Sequence, residues 1–129
     1  MTKNFKLSEL ECNCICENPC TIPDDVMNNL KKLAENLQVI RNTIDKPIKV
    51  TNAYRCPEKN ASVGGATKSQ HLLGKAADLQ VKGTSPDEVA DIVESLQESG
   101  IIEMGGVGRY NTFTHVDIRG YTARWNNKK

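Results

Sequence analysis

Two histidines are present, and each has an aspartate close behind it. His71 stands in "SQHLLGKAADL", with Asp78 seven positions later; His115 stands in "TFTHVDIRGY", with Asp117 two positions later. Imidazole nitrogens and carboxylate oxygens are donors that zinc accepts. Two neutral imidazoles and one carboxylate leave a fourth tetrahedral position for water. Such an opening separates a catalytic site from a closed structural one, because the ion makes water there more acidic. The ordinary alternative is a histidine hydrogen-bonded to a nearby aspartate. H-x6-D is not a compact helical ligand pair, so spacing alone leaves both readings open.

Bringing these residues together requires a sheet. Side chains alternate across a strand. In the last strand-like run, Phe113, His115, Asp117 and Arg119 share one face, and Thr114, Val116 and Ile118 the other. In "AADLQV", Ala76, Asp78 and Gln80 oppose Ala77, Leu79 and Val81. Each strand therefore has an apolar side fit for a core and a polar side carrying a possible ligand. As neighbours in one sheet, they would let Asp78 and His115 converge, with His71 arriving from the preceding turn. Gly74 would supply the bend, and Ala76 and Ala77 room for close approach.

The remaining elements follow from periodicity. "TIPDDVMNNLKKLAENLQVIRNTI" repeats Val26, Leu30, Leu33, Leu37 and Ile40 at helical spacing, and Pro23, Asp24 and Asp25 suit a helix start. "KPIKVTNAYR" alternates and is β-branched in its middle, as a strand is. "CPEKNASVGGATK" is loop-like. "SPDEVADIVESLQESG" predicts a second helix, capped by Ser85 and stopped by Gly100. "EMGGVGRYNTFTHVDIRGY" is glycine-rich and then strand-like, and "TARWNNKK" reads as a polar tail that frays beyond Trp125. The expected class is α+β, with helices packed on one face of a small sheet.

A chain of 129 residues predicts one domain, 1–129, with an ordered core from about 5 to 125. A net charge of +1 argues against a dedicated nucleic-acid binder. No apolar run is long enough to span a membrane. "MTKNFKLSELE" lacks the apolar core of a signal peptide, so synthesis in the cytoplasm is expected, with release by other means if the target lies outside. A monomer is expected. Five cysteines, Cys12, Cys14, Cys16, Cys20 and Cys56, are an odd number for a disulfide framework. "CNCICENPC" also lacks the paired C-x2-C knuckles of a zinc finger. Reduced, packed thiols are the expectation, and a second structural metal is the alternative.

Several segments in order resemble one family. "SQHLLGKAAD" fits the S-x-H-x-x-G-x-A-x-D pattern of the M15 zinc peptidases, the D-alanyl-D-alanine carboxypeptidase family. "HVD" is similar to its second histidine segment, and "TNAYRCPEKN" resembles its S-G-Y-R-x-P-x-x-N segment. "VGGATKSQH" and "GGVGRYNTFTHVDIRG" resemble the compact phage and prophage branch. The resemblance implies a Hedgehog/DD-peptidase-like α+β fold with a largely antiparallel sheet. It also implies Zn2+ held by His71, Asp78 and His115, and substrate contacts from Arg55 and Ser69. On residue type alone, Arg55 fits an ordinary surface ion pair equally well, and Ser69 a turn.

One departure concerns the general base. Many members carry Glu or Asp three residues before the second histidine; here that residue is Thr112. Asp117, on the same strand face as His115, is the nearest replacement. It could take a proton from water or only orient His115. Glu103 is a weaker candidate. The implied activity is zinc-dependent hydrolysis of amide bonds in peptidoglycan stem peptides, as a D,D-carboxypeptidase or an L,D- or D,D-endopeptidase. A phage or prophage endolysin is one form of this. The alternative class is a non-catalytic, zinc-stabilised cell-wall-binding domain, and a third reading puts function in the Cys12–Cys20 cluster.

Overall fold

The computed structural model describes Phe5, Leu10 and residues 24–54 and 70–126. Arg55, Ser69, the five cysteines and the 56–68 segment lie outside the described residues. The first fully described helix, here α1, runs Asp24–Ile44 and buries Val26, Leu30, Leu33, Ala34, Leu37 and Ile40, the stripe its periodicity predicts. It ends at Asp45, which takes the left-handed conformation (φ 59°), one that a short polar side chain tolerates. The second helix, α2, runs Pro86–Glu98. Ser85 caps it, its hydroxyl accepting from the Glu88 N–H at 3.2 Å.

Among the described residues five strands form one sheet: β1 (Ile48–Asn52), β2 (Ala76–Val81), β3 (Gly106–Arg109), β4 (Thr114–Asp117) and β5 (Ala123–Asn126), in the order β1-β2-β4-β3-β5. All neighbours are antiparallel except β3 and β5, which run parallel. The fold is α+β. α2 packs on β2, β3 and β4, and α1 packs on α2. Ala77, Leu79, Val81, Val107 and Val116 join both helices in one core, along with Phe5 and Leu10. The opposite sheet face carries the polar residues of the same strands.

Two segments depart from the sequence expectation. The glycine-rich run before His115 contains a strand, β3, which pairs with β4 as a hairpin. The polar tail contains the parallel edge strand β5 at 123–126, which reaches one residue past Trp125, and 127–129 lie outside the described residues. Glycines carry no side-chain alternation to read, and a four-residue polar edge strand has almost none. Strand pairing decided both.

Candidate metal centre

Sheet register builds the site. Asp78 on β2 sits directly opposite His115 on β4. Gly108 lies opposite His115 on its other side, Trp125 beside Gly108, and Asn52 beside Asp78. One row across the open face therefore reads Asn52, Asp78, His115, Gly108, Trp125. In the next row Asp117 lies opposite Ala76, whose small side chain leaves room for neighbours.

His71 enters from a single 3-10 turn, Gln70–Leu73, just before β2. Gly74 makes that entry possible. Its φ is +71°, and a Cβ there would fall 2.8 Å from Val26 Cγ1 and 2.9 Å from the Val26 carbonyl oxygen. Asn29 on α1 ties the turn down by donating to the Leu73 carbonyl at 2.8 Å.

The three side chains meet. His71 Nε2 is 3.4 Å from Asp78 Oδ1, and His115 Nδ1 is 3.2 Å from the same oxygen. One ligand atom from each lies within 4.8 Å of the others, and all three residues are buried. The imidazole rings meet edge to face, with centroids 5.2 Å apart. Asn52 Nδ2 reaches the second Asp78 oxygen at 3.5 Å.

Each histidine also has an outer anchor. His71 Nδ1 is 2.6 Å from the Ala53 carbonyl. A carbonyl only accepts, so His71 carries its proton on Nδ1 and turns Nε2 inward. His115 Nε2 is 2.8 Å from Asp117 Oδ2. An ionised carboxylate likewise only accepts, which turns Nδ1 of His115 toward Asp78. Outer acceptors that fix the tautomer and ring orientation are a regular feature of metal-binding histidines.

Asp117 is fully enclosed, with a side-chain exposure of 0%. Besides His115, its oxygens accept from the Gly106 N–H at 2.7 Å and the Arg119 N–H at 3.2 Å. They also accept from Arg119 Nε at 2.9 Å and Nη2 at 2.7 Å. Burial works to raise its pKa, but these donors outweigh it and hold the carboxyl well below the usual range. Asp78 follows the same balance: burial opposes, and hydrogen bonds and charge from His115 and His71 prevail. Burial would lower the His115 pKa, yet its two aspartates raise it.

Of the other residues singled out from sequence, Arg55 and Ser69 lie outside the described residues. Thr112 offers its carbonyl to Gln80 Nε2 at 3.0 Å. Glu103 is exposed, and its N–H donates to Asn36 of α1 at 2.9 Å, which ties it to the helix layer. Three participants escaped the sequence reading: the Ala53 carbonyl, the Arg119 clamp and Trp125, whose ring lies 5.0 Å from that of His115. The G-V-G alternation at 106–108 was the available signal, since it strips one face of β3 of side chains.

Comparison with known proteins agrees with the geometry. A family model described as Peptidase M15 matches residues 3–117. The chain is 36% identical over 83 residues to the zinc D-Ala-D-Ala carboxypeptidase of Streptomyces albus G, covering 62% of this chain and 31% of that protein. It is 35% identical over 96 residues to the probable peptidoglycan L,D-endopeptidase MepK of Haemophilus influenzae, covering 69% of this chain and 48% of that protein. The chain thus spans about a third to a half of the length of these relatives.

Proposed function

Because the chain belongs to the peptidase M15 family, we propose that it is a zinc-dependent peptidase cleaving amide bonds in peptidoglycan stem peptides. The observation that carries this reading is the buried convergence of His71, Asp78 and His115, with ligand atoms within 4.8 Å of one another. The donor set fits zinc: His71 would bind through Nε2, His115 through Nδ1 and Asp78 through a carboxylate oxygen. Three protein ligands leave a position free, as in catalytic zinc sites. When bound, zinc would polarise the scissile carbonyl and acidify solvent in the free position.

The protein's own groups have separable tasks in this reading. The Ala53 carbonyl and the Asp117 carboxylate hold the outer N–H of the two imidazoles, so both rings stand ready before the ion arrives. Asp117 is assigned the orienting role. Its enclosure and four donors besides His115 Nε2 leave it poorly placed to collect a proton from solvent. Among the described residues it is the carboxylate in reach of the cluster besides Asp78 itself. Arg55 would hold a substrate carboxylate or carbonyl with its planar fork, and Ser69 would line the cleft beside it. Both the D-Ala-D-Ala carboxypeptidase and the L,D-endopeptidase reactions named for the relatives fall within this substrate class.

The test is digestion of purified sacculi and of defined stem peptides, with products read by mass spectrometry. New amino termini whose release a chelator abolishes and zinc restores are the expected result. The absence of any cleavage by zinc-loaded protein overturns the proposal. One observation favours a second reading: Thr112 stands where a carboxylate base is expected, and Asp117 is already engaged. A zinc-stabilised wall-binding domain would bind sacculi tightly and release nothing.

A further inference from the structure

β3 presents no side chain to the open face. Gly108 lies opposite His115, and Gly106 donates its N–H to Asp117, while Val107 points into the core. Strands are spaced about 4.8 Å apart, so β5 lies roughly 10 Å from β4. A side chain on the intervening strand would normally separate the two. Gly108 removes that barrier, and the indole of Trp125 lies across the gap. A Cβ on Gly108 would fall within 2.7 Å of the indole Nε1, Cε2 and Cζ2.

The indole is held on several sides. Its Nε1–H donates to the Tyr110 hydroxyl at 2.9 Å. Its ring lies 5.0 Å from the His115 ring, at an interplanar angle of 49°. The Arg119 guanidinium carbon lies 5.3 Å from the indole centroid, within cation–π range. The contacts form a closed circuit: Trp125 against Arg119, Arg119 on Asp117, Asp117 on His115, and His115 against Trp125. A histidine ring turns in a broad well about its second torsion. The two ring nitrogens of His115 meet Asp117 and Asp78, and a flat wall beside the ring adds a restraint on rotation that depends on neither bond.

We propose that Trp125, lodged in the vacancy at Gly108, is a positioning residue that holds the His115 ring with Nδ1 toward the metal centre. The inference rests on the zinc reading and extends it to an edge strand that supplies no ligand. Its test is zinc affinity, measured by competition with a chromophoric chelator on wild type, Trp125→Leu, Trp125→Phe and Gly108→Ala, with circular dichroism to verify folding. Trp125→Leu and Gly108→Ala should each weaken zinc binding about tenfold or more, the range for groups that orient a ligand. Trp125→Phe, which keeps a flat ring, should recover most of the affinity. Folded Trp125→Leu with wild-type zinc affinity overturns the inference.

If Trp125→Leu does not fold, the wild-type protein decides, because Trp125 is its single tryptophan. One equivalent of Co2+ in place of zinc should quench the tryptophan emission, and His115→Ala should abolish the quenching. Undiminished emission at full metal loading overturns the inference. A wild-type protein that binds neither zinc nor Co2+ defeats the metal reading itself, which keeps the two failures apart.

Discussion

Two charged networks lie back to back on one sheet. On the open face, Asp117 holds His115 and Arg119 with its side chain sealed from solvent. On the helix face, Arg109 of β3 meets Asp87 at 3.3 Å, Asp91 at 2.7 Å and Glu94 at 2.6 Å, all on α2. Arg124 of β5 reaches Glu94 at 3.0 Å. The ingredients are alike: arginines and carboxylates at short range. The surroundings are not. Asp91 is 69% exposed and Asp87 42%, so water can replace either partner. Asp117 has no such substitute, because its enclosed oxygens are sealed from the water that would replace a lost donor. The comparison teaches that count and distance of ion pairs say little about function. Enclosure, and attachment to a histidine whose other nitrogen faces a second carboxylate, separate the network that can serve chemistry from the one that fastens a helix to its sheet.

The largest effect should come from the proposed zinc ligands. His71→Ala or His115→Ala should take zinc content from near one per chain to near none. Hydrolysis of stem peptide should fall by at least about a thousandfold, since a Lewis acid contributes several kcal/mol and each 1.36 kcal/mol is tenfold; metal analysis alongside product quantitation checks both. Next, Asp117→Asn should weaken zinc binding by about 10–100-fold, with activity partly restored at saturating zinc. A rate loss beyond about a hundredfold at unchanged zinc affinity would instead assign Asp117 the proton transfer.

The helix-face network should respond differently. Arg109→Met should lower unfolding free energy by roughly 1 kcal/mol, as for partly exposed ion pairs, and leave zinc affinity untouched. Chemical denaturation and chelator competition on the same sample test this, and weakened zinc binding would erase the distinction between the faces. The smallest effect belongs to Asp91→Asn, expected within about 0.5 kcal/mol of wild type in the same denaturation experiment, because the carboxylate is mostly solvated.

Much of the frame could be read along the chain. The stripe from Val26 to Ile40 and the Ser85-capped run through Gln97 carry helical period and end signals, and both helices form where these predict. The alternation in 76–81 and 113–119 told which side chains face the core, because a strand has no other way to place them. Asp78 and His115 were therefore on polar faces whatever their partners. β3 and β5 were not legible: Gly106 and Gly108 have no side chains to alternate, and Ala123–Asn126 is a short polar edge run.

The sequence by itself determined donor types, the faces they occupy, and a pattern of spaced motifs typical of one family. Local periodicity depends only on neighbours along the chain, so it survives in the string of residues. Only the tertiary structure decided that Asp78 pairs opposite His115, that the Ala53 carbonyl sets the tautomer of His71, and that Trp125 crosses the gap at Gly108. Those facts depend on strand order and register, which arise when distant segments bury their apolar faces together.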